Sequence, residues 1–238
     1  TESRTDEIVE ACARLYAIKS FKDITIKDIA AATSFTRTSI YNYFQTKEEI
    51  FLALFQREYA LWAQTLARLC ADNAEISRED FAQALAHSLE ERTTLLKLLS
   101  MNLYDMEANS RMERLVEFKR AYGGAIKAVD MCLETFFAEM SKQDRQDFIF
   151  AFFPFMSGIY PYTSVTQKQR GAMLQAGEQC AVFSVWNVPA GNVSAVHGAG
   201  NAPAGSGVPL WQAGSPCEGR ALNLFSSCAI AVSSNDIT

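Results

Sequence analysis

Residues 25–50 read TIKDIAAATSFTRTSIYNYFQTKEEI, and the reading of this stretch decides the fold. Thr25 with Asp28 three residues on is a helix-start pair, in which the hydroxyl takes a first-turn amide and the carboxylate reaches back. Ile26, Ile29 and Ala30 then fall on one side of a short helix. A second short helix is predicted over 36–44, with Ile40 and Phe44 one turn apart. Thr46-Lys47-Glu48-Glu49 repeats the start signal as a capping box. It opens a long helix carrying Phe51, Leu54, Phe55, Leu61, Trp62, Leu66 and Leu69. The order is therefore short helix, tight turn, short helix, long capped helix. Ile29, Ala30, Phe35, Ile40 and Phe44 supply a small shared core.

A helix-turn-helix requires this order: the first helix supports, the turn sets the crossing angle, and the second helix enters the major groove of DNA. Thr36, Arg37, Thr38, Ser39, Tyr41, Asn42 and Tyr43 remain outside the core and are candidate contacts. Hydroxyls and arginine suit phosphates and base edges. The net charge of the chain is −5, which opposes non-specific binding to nucleic acid. Between Lys19 and Lys47, however, five basic residues (Lys19, Lys22, Lys27, Arg37, Lys47) face two acidic ones (Asp23, Asp28). A groove reader needs only this local basic face.

Helical patterning continues on both sides. Upstream, Ile8, Ala11, Cys12, Leu15 and Ile18 recur at helical spacing over 4–18. Downstream, Ser77 with Asp80 and Ser141 with Asp144 open further helices, and 93–107 and 110–140 read as helical. Gly123-Gly124 lies inside the last of these and predicts a kink, a close helix approach or a break. No alternating strand pattern appears before about residue 178, so the fold class is all-α. A three-helix helix-turn-helix domain is predicted at 1–50 and a C-terminal helical domain at 51–178.

The character of the chain changes at 179–238, an atypical low-charge tail. From Cys180 onward only Glu218, Arg220 and Asp236 are charged, and the segment holds seven of the 12 glycines and four of the six prolines. Three readings stay open: a small irregular subdomain, a disordered low-complexity tail, or a reading frame that departs from the ancestral one near residue 177.

Other function classes find little support. The six cysteines (Cys12, Cys70, Cys132, Cys180, Cys217, Cys228) form no CxxC pair, and only His87 and His197 are available as imidazole ligands. No metal site and no cofactor are expected. Buried thiols are the simpler reading. No nucleophile–base pair or glycine-rich phosphate loop is present, so no catalytic residues and no enzyme activity are expected. The longest apolar run, Phe148 to Met156, is interrupted by Pro154 and too short to span a bilayer. The N-terminal residues show no basic-then-apolar leader, which predicts a cytoplasmic protein without a membrane partner.

The first sixty residues resemble the DNA-binding domain of the tetracycline-repressor family. The matching pieces are Phe21…Ile24-Thr25-Ile26-Lys27-Asp28-Ile29-Ala30, Ser39-Ile40-Tyr41-Asn42-Tyr43-Phe44 and Lys47-Glu48-Glu49-Ile50. The resemblance implies phosphate contacts from Thr25, Tyr41, Tyr43 and Lys47, and base contacts from Thr36, Arg37, Thr38, Ser39 and Asn42. It also implies a homodimer that binds an operator in double-stranded DNA and is released by a small-molecule effector, acting as a repressor. The family usually has glycine where this chain has Ser20 and Ser34. Left-handed turns there would cost about 1–2 kcal/mol each. The alternative is a helical protein-interaction module that has lost DNA binding.

The resemblance implies that the C-terminal helical domain, 51–178, is the sensor and dimerisation domain, holding both effector and dimer interface. Residues 136–162 are dense in aromatics: Phe136, Phe137, Phe148, Phe150, Phe152, Phe153, Phe155, Tyr160 and Tyr162. A helix apolar on several faces is central or at an interface. Asp144–Gly158, paired with Ser164–Ala176, is thus the candidate intersubunit bundle. Met101, Tyr104, Phe118, Tyr122, Phe152 and Met156 are the candidate lining of an apolar or aromatic ligand cavity.

Overall fold

The computed structural model describes residues 2–177, with side chains from residue 4 onward. The expectations for 179–238 lie outside the described residues. Ten α-helices and one 3-10 turn follow in order, with no strand among the described residues: α1 (Glu2–Ile18), the turn Phe21–Asp23, α2 (Ile26–Ala31), α3 (Arg37–Ile40), α4 (Lys47–Asp72), α5 (Arg78–Glu90), α6 (Thr93–Leu99), α7 (Leu103–Ala108), α8 (Met112–Phe136), α9 (Lys142–Thr163) and α10 (Gln167–Gln175). The fold is all-α, as the patterning requires.

Starts are set by side-chain caps. Thr25 and Ser141 form reciprocal capping boxes with Asp28 and Asp144. Ser77 accepts from the Asp80 amide at 3.0 Å. Thr46 accepts from the Glu49 amide at 3.2 Å, but the expected box is only half made. The Glu49 carboxylate accepts instead from the Gln45 amide and from Arg111 of α8.

Several boundaries differ from the periodicity. The expected helix over 93–107 is two helices, because the Ser100 hydroxyl turns back to the Lys97 carbonyl and Asn102 caps a new start through the Tyr104 amide. The stretch 110–140 stops at Phe136, where Phe137 leaves helical geometry to pack on Phe81. Ile18 is 82% exposed, and Tyr16 takes the inward position. The helix α8 runs unbroken through Gly123-Gly124, and a Cβ built on either meets nothing within 4 Å, so neither a break nor a close helix approach is present.

α4 is the spine. It packs along α8 over most of its length and also meets α1, α5, α6 and α7, while α9 lies against α6 and α8. Ile8, Cys12, Ile24, Ile29, Ile40, Phe44, Ile50 and Phe51 are fully buried at the N-terminal end. Further along, rings from three helices form one chain: Phe55–Phe118 at 5.1 Å, Tyr59–Tyr122 at 5.5 Å, Tyr122–Phe153 at 5.6 Å and Phe153–Trp62 at 6.1 Å. Trp62 satisfies its indole N–H on the Ser88 hydroxyl at 2.9 Å. On α9, Phe148, Phe152, Phe153, Met156 and Ile159 are buried, whereas Phe150 and Tyr162 stand exposed. Among the described residues no single helix is long and apolar enough to cross a membrane; α9 and α10 meet that length and composition only as a pair bent by 73°.

Candidate DNA-binding interface

The turn between α2 and α3 is fixed from outside by α1. Glu7 accepts from the Ser34 amide at 2.7 Å, and Arg14 donates to the Ala32 carbonyl at 3.1 Å. The Ser34 hydrogen bond holds the Glu7 carboxyl below its usual range. Thr33 closes the turn locally, donating to the Ala30 carbonyl and accepting from the Phe35 amide. Ser20 sits in extended geometry (φ −80°, ψ 161°). The cost anticipated for a left-handed turn therefore does not arise there.

α3 is shorter than the predicted 36–44. Thr36 caps it by accepting from the Ser39 amide, and it ends at Ile40. Beyond that point the Tyr43 and Phe44 amides both donate to the Ile40 carbonyl, at 2.9 and 3.0 Å, so the chain closes as a turn. Buried Ile40 and Phe44 anchor this segment from below. Thr36, Arg37, Thr38, Tyr41 and Asn42 are exposed together on its outer side, with Ser39 half-buried beside them. Arg37 donates to the Tyr41 hydroxyl at 3.2 Å, its guanidinium 5.8 Å from the ring. These two residues thus present cation and phenol as one unit at the helix surface.

The other phosphate candidates are more constrained. The Thr25 hydroxyl lies exposed but is held in the α2 cap, donating to Asp28 at 2.6 Å. Tyr43 is half-buried, its ring against Phe35 and its hydroxyl accepting from Arg4 at 3.4 Å. Lys47 turns its ammonium onto the Phe21 carbonyl at 2.8 Å and the Phe21 ring at 4.0 Å. One of its three donors is thereby committed away from solvent.

The sequence reading missed Arg4, which α1 brings beside Tyr43 and Phe35. A signal for it existed: a cation in the first turn of a helix opposes the helix dipole and needs a partner elsewhere. The same signal marks Arg111 and Arg114 at the start of α8. Both donate to the Tyr43 carbonyl, at 3.2 and 3.0 Å. Arg111 also grips the fully buried Glu49 carboxylate. Burial pushes the Glu49 carboxyl up, but the Arg111 and Gln45 hydrogen bonds outweigh it and leave the group below its usual range. A second tie joins α1 to α6: the Lys97 ammonium donates to the Tyr16 and Lys19 carbonyls at the end of α1. Burial holds that ammonium below its usual range.

Of the six ligand candidates, Phe118, Phe152 and Met156 are fully or nearly fully buried, and Tyr122 is half-buried against Tyr59 and Phe153. Met101 lies apart, its sulfur 2.9 Å from the Tyr16 hydroxyl. Tyr104 is 85% exposed on the first turn of α7. Its alternation with buried Met106 places it on the outer side of a two-turn helix.

Three solved structures are similar to the chain. The fatty acid degradation regulator FadR from Bacillus halodurans is 18% identical, with 72% of this chain and 94% of that one covered and a TM-score of 0.48. A regulator assigned to the TetR family from Mesorhizobium loti MAFF303099 is 13% identical, with 73% and 91% covered and a TM-score of 0.49. A TetR/AcrR-family regulator from Thermobifida fusca YX-ER1 is 17% identical, with 73% and 93% covered and a TM-score of 0.47. No curated protein sequence matches. The profile of bacterial regulatory proteins of the tetR family matches residues 8–54, which hold the capped α2, the braced turn and α3. The profile of the tetracyclin repressor-like C-terminal domain matches residues 56–180, more than half of the chain. With its helix-turn-helix and its helical body both matched, the chain belongs to the tetracycline-repressor family of bacterial transcriptional regulators.

Proposed function

We propose that the protein is a sequence-specific DNA-binding repressor that acts as a homodimer and leaves its operator when a small apolar or aromatic effector binds. The observation that carries this reading is the exposed Arg37–Tyr41 pair on a capped, externally braced α3. In the proposed complex Thr36, Arg37, Thr38, Ser39 and Asn42 face bases, while Thr25, Tyr41, Tyr43 and Lys47 face phosphates. Residues 1–50 form the reading head and 51–178 the sensing and pairing body, in the cytoplasm.

Two recognition helices in one dimer stand about 34–36 Å apart to meet successive major grooves. The effector enters the aromatic cluster of Phe118, Tyr122, Phe152 and Met156. Its binding tilts α4 and changes that spacing, and it must favour the released state or nothing shifts. By linkage, DNA weakens effector binding by the same factor. The exposed faces of α9 and α10, with Phe150, Tyr162 and Leu174, supply the pairing surface.

Selection of operators from random or genomic duplexes tests the reading. The expected result is one near-palindromic site, bound with steep salt dependence and lost in Arg37→Ala and Tyr41→Ala. Failure of the folded wild-type chain to enrich any site overturns it.

A further inference from the structure

Cys70, in the last turns of α4, and Cys132, in the last turns of α8, bring their sulfurs to 2.8 Å. That is inside van der Waals contact and within about 1 Å of the 2.05 Å bond length of a disulfide. Both are free thiols. Their surroundings differ. Cys132 is fully buried and points also at the Leu66 carbonyl at 3.5 Å, whereas Cys70 is only half-buried.

We propose that Cys70 and Cys132 are an oxidisable dithiol, a modification site for a small peroxide-class oxidant. Peroxide reaches the more accessible Cys70 first. The Cys70 thiolate attacks one peroxide oxygen, the O–O bond breaks, and a sulfenic acid and hydroxide result. The Cys132 sulfur then attacks the Cys70 sulfur, the S–O bond breaks, and the second oxygen leaves as water with the Cys132 proton. In total two thiols lose two electrons and two protons, and hydrogen peroxide becomes two waters. Burial pushes the Cys132 thiol up, which keeps it protonated and leaves first attack to Cys70. The product ties the far end of α4 to α8, the helix whose near end holds the Tyr43 carbonyl, and so blocks sliding of one along the other.

The full chain is treated with a few equivalents of hydrogen peroxide, quenched and alkylated, and its peptides are mapped without reduction. The expected product is a linked Cys70–Cys132 peptide pair with a mass lower by about 2 Da, a melting temperature raised by about 5–10 °C, and full reversal by dithiothreitol. In Cys132→Ser, Cys70 instead runs on to sulfinic acid, having lost its resolving thiol. In Cys70→Ser, at the less buried position, Cys132 stays reduced. The inference is overturned if both thiols of the wild type remain alkylatable, if Cys70 reaches sulfinic acid in the wild type, or if Cys70 is found linked to another cysteine.

Discussion

The Arg111 guanidinium closes on the Glu49 carboxylate at 2.7 and 2.9 Å, and the Arg111 amide adds a third bond at 3.0 Å. Glu49 is fully buried, so it depends on these partners for its charge. Arg111→Ala is expected to destabilise the chain by about 2 kcal/mol, less than for a wholly buried pair because the arginine side chain is 39% exposed. Urea unfolding measures this, and a loss under about 0.5 kcal/mol would show that water replaces the guanidinium.

The same pair sets a pH dependence. The folded-state Glu49 carboxyl lies below its ordinary range, so its contribution is complete above the unfolded value of about 4.3 and is lost as pH falls through the lower folded value. Glu49→Gln removes that titration. The stability difference between wild type and Glu49→Gln should therefore shrink on acidification below about pH 4.3. A difference that stays constant down to acid unfolding would sink the assignment.

Arg37→Ala is expected to weaken operator binding by about 10- to 100-fold while changing stability by less than about 0.5 kcal/mol, because Arg37 is exposed and its guanidinium rests on the Tyr41 side chain. Thr25→Ala should differ in kind, costing about 1 kcal/mol of stability through its lost cap. Parallel fluorescence-anisotropy and denaturation curves separate the two.

Gly123→Ala and Gly124→Ala should each stabilise α8 by about 1 kcal/mol, since an added Cβ meets nothing within 4 Å. Thermal unfolding reads the gain. A loss instead would mean that a second chain or a ligand presses on this face.

Much of this fold was legible because its start signals are local. Thr25, Thr46, Ser77 and Ser141 cap helices through bonds reaching only three residues on, and these follow from spacing alone. The outer face of α3 was legible for the same reason: burying Ile40 and Phe44 leaves Arg37 and Tyr41 outside. What spacing does not carry is pairing between distant segments. Glu49 looked like half of a capping box, yet its carboxylate serves Arg111 across the fold. Nothing in the spacing places the Lys47 ammonium over the Phe21 ring. Among the ligand candidates, periodicity could not separate exposed Tyr104 from buried Phe118, because α7 spans too few turns to establish which side faces inward.

The two guanidiniums on the Tyr43 carbonyl also bear on synthesis. The head leaves the ribosome before Arg111, Arg114 and Lys97 do, so the emerging chain has α1 to α3 without either of their distant fastenings. Those long-range contacts carry a loop-closure cost that only the finished body repays. Amide exchange should therefore be fast at Tyr43 and at the end of α1 in a fragment ending at residue 54, and slow in the full chain. The head gains its final rigidity as a late event of folding, conferred by the half of the molecule that is translated after it.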